Sequence, residues 1–195
     1  MSIKIDILIN KYYHKKMKEP FLIDLNKYHD NRGYLVEKFN RAIYRSVTDI
    51  ENENVLQNCP HWVQENYSVS NKDVLRGIHF QYEKPQAKLV HCLYGKILDI
   101  IVDLRQSSPN FGKHVKYNLD DSQILYVPIG FGHSFLSLTE NSIVEYKCSD
   151  YYNPEDAYTI VWDDKDLNIN WGINNPILSE KDQNGLSFEQ APKFN

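Results

Sequence analysis

The stretch VLRGIHFQ, residues 74–81, places reactive side chains where a strand would be expected to pack. Val74, Leu75, Ile78 and Phe80 are apolar, yet Arg76, His79 and Gln81 interrupt them. An imidazole that titrates near neutrality can be a base, a metal ligand or a satisfied core residue. Elsewhere Lys88 (KLVHC), His133 (GFGHSF) and Tyr146 (VEYKC) also stand in strand-like runs. Side chains alternate between the two faces of a strand. Glu145 and Lys147 are therefore expected to face solvent and Tyr146 the interior. By the same rule Lys88, Val90 and Cys92 share one face, and His79 and Gln81 another. If these strands line one cavity, it holds His79, Gln81, Lys88 and Tyr146.

Packing, metal binding and acid–base chemistry compete to explain that set. A single interior tyrosine or histidine is ordinary when its polar atom is satisfied. An inward lysine is harder to explain by packing, because burying an unpaired ammonium is costly. Several polar groups converging on one concavity is what a ligand pocket needs. Metal-binding barrels of the cupin type use H-x-H, a glutamate a few residues later and a distant histidine. Here the matching string is His79-x-Gln81, Lys88 and His133. Gln81 is a weak ligand and the Lys88 ammonium would repel a divalent cation, so no metal is expected. Proton abstraction beside a ketone fits better. It needs a base with a pKa near neutrality, an electrophile for the enolate oxygen, and an acid. His79 supplies the base, Lys88 or His133 the electrophile, and Tyr146 an acid from another direction. Inversion requires opposed groups, since a single base would only return its own proton.

The elements that must position these groups read as strands. Fourteen tyrosines, eight phenylalanines and many Ile and Val residues favour β-structure. Short apolar runs (FLIDL, YLVEKF, KILDIIVDL, KHVKYNL, ILYVP, HSFLSL) alternate with breaks such as SSPNFG, PIGFG and NPED. That spacing predicts an all-β sandwich or barrel. Residues 41–56 are the one expected amphipathic helix, and the C-terminal third reads as loops and turns packed on the outside. The chain has 195 residues without a Pro/Gly/Ser-rich linker, so a single domain is expected. The formal net charge of −4 offers no footprint for nucleic acid. Cys59, Cys92 and Cys148 show no paired spacing, which points to a reducing compartment. With no apolar run near the roughly 18 residues of a membrane helix, and no leader pattern, a cytoplasmic location without membrane partners is expected.

The ordered strings DNRGYLVEKFN, QENYSVS, VLRGIHFQ, KLVHCLYGKILDIIVDLRQSSPNFGK, VPIGFGHSFL, EYKCSDYYNPE and LSEKD resemble the dTDP-4-dehydrorhamnose 3,5-epimerase family, from about Phe21 to Gly185. The resemblance implies a double-stranded β-helix (a cupin-like jelly roll) with a few short helices. It also implies no cofactor or metal, and a homodimer in which the N-terminal segment, to about residue 40, serves the dimer and the nucleotide site. The reaction implied is inversion at C3 and/or C5 of a nucleoside-diphosphate 4-keto-6-deoxy sugar, in surface-polysaccharide biosynthesis. Carried over by motif, His79 matches the general base, Asp182 the carboxylate that orients it, and Tyr146 the general acid. Lys88 and His133 match residues near the keto group, and Arg76 a diphosphate ligand. Arg32 and Glu37 match residues that a neighbouring subunit lends to the nucleotide. Gln64, Asn66 and Tyr152 match groups lining the pocket. Two departures bear on the nucleotide: Tyr34 is followed by Leu35 instead of a second aromatic, and His91 replaces a basic residue. They keep a GDP-linked hexose or heptose open beside a dTDP-linked hexose. A single-centre epimerase, a 3,4-ketoisomerase and a non-catalytic sugar-nucleotide binder are the other readings.

Overall fold

A computed structural model describes residues 19–40 and 61–195; the helix expected over 41–56 lies outside them, as does Cys59. The strands, in chain order, are β1 (Phe21–Asp24), β2 (Lys27–Asp30), β3 (Gly33–Val36), β4 (Gln64–Ser70), β5 (Leu75–Gln81) and β6 (Lys88–Tyr94). They continue as β7 (Ile97–Asp103), β8 (His114–Leu119), β9 (Gln123–Val127), β10 (Phe131–Ser137), β11 (Ser142–Cys148) and β12 (Ala157–Thr159). One short helix, α1 (Glu180–Gln183), follows.

Two five-stranded sheets form, in the orders β1-β9-β6-β11-β4 and β12-β5-β10-β7-β8, and β2 pairs only with β3. Every pairing between these strands is antiparallel, and from β4 to β7 the chain changes sheet at each step. That is the jelly roll implied by the family resemblance, and it fits the all-β sandwich or barrel read from the short, regularly broken apolar runs. The inner faces meet in a core of Val90, Cys92, Ile97, Ile101, Leu119, Leu125, Val127, Phe131, Phe135 and Val144. Each such branched or aromatic side chain contributes about 1.5–3 kcal/mol when fully buried.

The outer faces are covered as well, which explains why KILDIIVDL is apolar almost throughout. Ile100 and Leu136 pack outward against Trp171, and Ile78, Phe80 and Val102 against Leu167, Ala191 and Phe194. The C-terminal third thus lies on the outside of the second sheet, as expected. Phe21, Ile23 and Trp62 cover Leu89, Ile124 and Tyr126 on the first sheet. Glu145 and Lys147 do point outward, yet they are less exposed than strict alternation implies. Lys38 bonds the Glu145 carboxylate at 2.5 Å, and Lys147 pairs with Glu65 at 2.6 Å.

Candidate active site

Arg76 and His79 are three residues apart, and a regular strand would send them to opposite faces. Both nonetheless line one cavity. Against β10, His79 pairs with His133 while Arg76 pairs with Phe135, so β5 carries one residue more than its partner. This bulge turns the strand between Arg76 and His79. It depends on Gly77, whose φ of +114° favours glycine. A Cβ on Gly77 would lie 2.6 Å from the His133 carbonyl oxygen and from the Ser134 side chain. The glycine in VLRGIHFQ is thus what lets an arginine and a histidine share one wall.

The cavity holds about 370 Å³ between the two sheets. His79, Arg76 and Gln81 come from β5 in one sheet; Gln64, Asn66, Lys88, Tyr146 and Cys148 come from β4, β6 and β11 in the other. Tyr146 is paired to Asn66 on one side and Val90 on the other, which places it in the middle of its sheet. Histidine and tyrosine therefore enter from facing walls. Lys88 lies 5.9 Å above the Tyr146 ring and forms no ion pair among the described residues.

The histidine is held from behind. His79 Nε2 and Asp182 Oδ1 are 2.5 Å apart, and Asp182 is 3% exposed. Ser179 Oγ donates to Asp182 Oδ2 at 2.8 Å and also accepts from the Asp182 amide, capping α1. Asp182 feels opposing influences. Burial raises its pKa, but His79, Ser179 and the Gly77 amide together bring it below the usual carboxylate value. For His79 burial prevails: it lowers the pKa despite the opposing pull of Asp182, and the Lys88 and Lys181 charges lower it further. The imidazole is thus kept neutral at pH 7, with Nε2–H committed to Asp182 and Nδ1 free. Burial lowers the Lys88 pKa and raises that of Tyr146.

This geometry makes a pH prediction with a definite sign. Activity that needs neutral His79 falls as pH drops through its pKa, which lies below about 6.5. In Asp182→Asn the carboxylate's upward pull is gone, so the acid limb of kcat/KM should move to lower pH. An asparagine amide can also donate to Nε2 and fix the wrong tautomer, so the plateau should fall by about 10²–10⁴-fold. A pH–rate profile of this variant whose acid limb moved upward would show that Asp182 does not face the base.

The comparisons with known proteins agree with the geometry. The family model described as dTDP-4-dehydrorhamnose 3,5-epimerase matches residues 14–190. The chain belongs to the dTDP-4-dehydrorhamnose 3,5-epimerase family. It is an enzyme of the epimerase class of isomerases. The family member from Methanothermobacter thermautotrophicus is 41% identical over 178 residues, covering 89% of this chain and 91% of its own. The 3,5-epimerase of Legionella pneumophila, solved in complex with dTDP-4-keto-L-rhamnose, superposes with a TM-score of 0.80 at 34% identity, covering 89% of each chain. A 3'-monoepimerase from Streptomyces bikiniensis, solved with dTDP-quinovose, gives a TM-score of 0.77 at 31% identity and covers 87% of this chain and 84% of its own.

Of the residues expected from this epimerase family's motifs, the structure gathers His79, Tyr146, Asp182, Gln64, Asn66, Arg76, Lys88 and Tyr152 around one cavity. Arg76 Nε donates to Ser70 Oγ at 3.1 Å, and its Nη2 donates to the Val69 carbonyl at 3.4 Å. Gln64 accepts from the Tyr152 amide at 2.8 Å and donates to Asn66 at 3.1 Å. Tyr152 is exposed at the rim. His133 is placed differently. It is absent from the main cavity's lining and meets only a narrow void of about 10 Å³, shared with His79 and Lys88, while its Nε2 bonds Asp99 at 2.9 Å.

Arg32 and Glu37 do not reach this chain's cavity. Arg32 sits exposed on the β2–β3 turn, paired with Asp30 at 2.6 Å. Gln81 lines the cavity, yet its amide is committed to loops. Nε2 donates to the carbonyls of Lys84 and Tyr151, and Oε1 accepts from the Asn153 amide. Among the described residues no group of three or more His, Cys, Asp or Glu converges so as to hold a metal. Cys92 and Cys148 are free and buried.

Sequence reasoning missed Ser179, Lys181, Gln86 and Tyr158 among the lining residues. Ser179-x-x-Asp182 has the spacing of a capping box, a signal that could have drawn Ser179 in as Asp182's support. Lys181, Gln86 and Tyr158 carry no comparable signal.

Proposed function

We propose that this chain inverts C3, C5 or both of a nucleoside-diphosphate 4-keto-6-deoxy sugar through an enolate, with no cofactor. The observation that carries this reading is the entry of an oriented imidazole and a protonated phenol from facing sheets, with Lys88 beside the phenol. His79 Nδ1 takes the proton from the carbon beside the ketone. The C–H pair becomes a carbon–carbon π bond to C4 as the carbonyl π pair moves onto the C4 oxygen, and the Lys88 ammonium stabilises the developing enolate charge. Tyr146 then delivers its proton to the opposite face of the same carbon, and the carbonyl re-forms. Solvent exchange returns His79 and Tyr146 to their starting states. Arg76 binds the diphosphate, while Gln64, Asn66 and Tyr152 line the approach.

For the nucleotide, dTDP is the first choice, since both solved neighbours above carry dTDP-linked ligands. Of the departures that kept GDP open, His91 does not line this chain's cavity, and Leu35 lies on the hairpin that a partner would lend. A homodimer accounts for Arg32 and Glu37. Their hairpin joins neither large sheet, and β4 is an edge strand that exposes Tyr67 and Val69. A partner's hairpin would bring Arg32 and Glu37 to the cavity mouth, with the whole chain acting as one domain. No helix among the described residues is long and apolar enough to cross a membrane, in keeping with a cytoplasmic place in sugar biosynthesis.

Incubation in D2O with dTDP- and GDP-linked 4-keto-6-deoxy sugars, read by NMR, tests the reading. Deuterium at C3, C5 or both, with inversion, is expected from the dTDP form. Transfer of the ketone to C3 would indicate a ketoisomerase, and binding without uptake a non-catalytic role. The same sample should have the mass of two 23.0 kDa chains in solution; a single chain would refute the lent hairpin.

A further inference from the structure

Behind Lys88 lies a second histidine–carboxylate pair that the reaction above leaves unused. Asp99, on β7, is completely buried, and one of its oxygens accepts from His133 Nε2 at 2.9 Å. Its other oxygen, Oδ1, has no hydrogen-bond partner. A buried carboxylate oxygen left unpaired costs stability, so the residue needs a reason to be there. Lys88, which lines the void of about 10 Å³ together with His133, has the complementary fault: a buried ammonium without an ion pair among the described residues. The void is too small for substrate, so what reaches Lys88 from this side is the field of the pair.

We propose that Asp99, held by His133, is the buried counter-charge that keeps Lys88 protonated for its work on the enolate, which makes Asp99 a positioning residue for the reaction. The inference rests on the reading of Lys88 as the electrophile. The titratable and charged groups that share a cavity wall with Lys88 or act on it are Cys148 and Tyr146 on β11, Arg76 and His79 on β5, His133 on β10, Asp99 on β7, and Lys181 and Asp182 on α1, with Tyr117 on β8 beside Asp99. At neutral pH the thiol and the two phenols are uncharged, since burial raises the pKa of each. Burial keeps His79 neutral. The 2.9 Å bond from His133 Nε2 fixes the direction of the Asp99 carboxylate. Asp182 is already committed to His79 at 2.5 Å, so Asp99 is the carboxylate left to act on Lys88. Its charge opposes the burial that lowers the Lys88 pKa.

The experiment follows Lys88 directly, by NMR titration of 13C-lysine-labelled protein, beside the pH dependence of kcat/KM. Burial lowers the Lys88 pKa, and the lysine resonance shows directly which limb of the profile Lys88 sets. Asp99→Asn should lower the Lys88 pKa and move that limb to lower pH by about one unit, with KM little changed. A uniform fall in kcat with both values unmoved would mean that Asp99 is merely structural, and would overturn the proposal. A lowered Lys88 pKa with an unmoved limb would uphold the counter-charge and remove Lys88 from the chemistry instead. Should Asp99→Asn fail to fold, the native protein still decides: Lys88 is expected to remain an ammonium through pH 8, and a neutral amine at pH 7 would overturn the counter-charge.

Discussion

Replacing His79 with asparagine is expected to lower both deuterium wash-in and product formation by at least 10²–10⁴-fold, the contribution of a positioned general base. The variant is informative because asparagine fills similar space and can still donate to Asp182. The buried carboxylate therefore keeps a partner, and the loss of about 3–5 kcal/mol expected on opening that pair is avoided. The fold should hold, since His79 belongs to none of the apolar clusters. Substrate affinity should change little, because the other cavity-lining polar groups remain in place. A loss confined to kcat, with thermal melting unchanged, is the signature of a removed base. Undiminished exchange would transfer the base role to another group and end the assignment of His79. Its neutrality at pH 7, kept by burial, is what makes it ready to accept a proton without first losing one.

Much of this arrangement was legible in the residues, though for different reasons. An all-β sandwich or barrel follows from short apolar runs at regular breaks, and the resemblance narrowed it to a jelly roll. The interior position of Tyr146 follows from the alternation of VEYKC. Lys88 stood out because an inward lysine has no packing rationale. The joining of Arg76 and His79 could not be read from alternation, since it depends on a bulge whose only trace in the sequence is Gly77. Asp182 is a second kind of case. By itself it reads as a solvated charge in a terminal segment, and only the resemblance singled it out. The chain gives it its environment by folding α1 back beneath β5, a contact across more than a hundred residues. His133 shows the opposite failure. Its strand face was inferable, but its commitment to Asp99 was not, because KILDIIVDL conceals a carboxylate within an apolar run. Local patterns report faces of elements; they do not report which buried polar atoms find one another.

Tyr146→Phe should separate the two proton transfers that His79→Asn abolishes together. Removing one oxygen leaves the ring against the inner core, where Tyr146 packs beside Val90 and Val144, so folding should be little affected. No hydrogen bond to the Tyr146 hydroxyl is seen among the described residues, so the deletion strands no protein partner. His79 and Lys88 remain, and with them proton abstraction and the enolate. The enolate then lacks a donor on the opposite face, and His79 can only return a proton to the side from which it came. Solvent deuterium should therefore still enter the sugar with its configuration retained, while inversion falls by about 10²-fold or more. Proton NMR in D2O measures the two together, as loss of the C3 or C5 signal in the substrate against the appearance of epimer. Equal loss of exchange and inversion would mean that the phenol supports the enolate itself, leaving the reprotonating acid to be found elsewhere on that wall. Retained inversion would show that a water crossing the cavity suffices as the acid. The raised pKa of Tyr146 favours the predicted separation, because a phenol kept protonated by burial meets an enolate basic enough to take its proton.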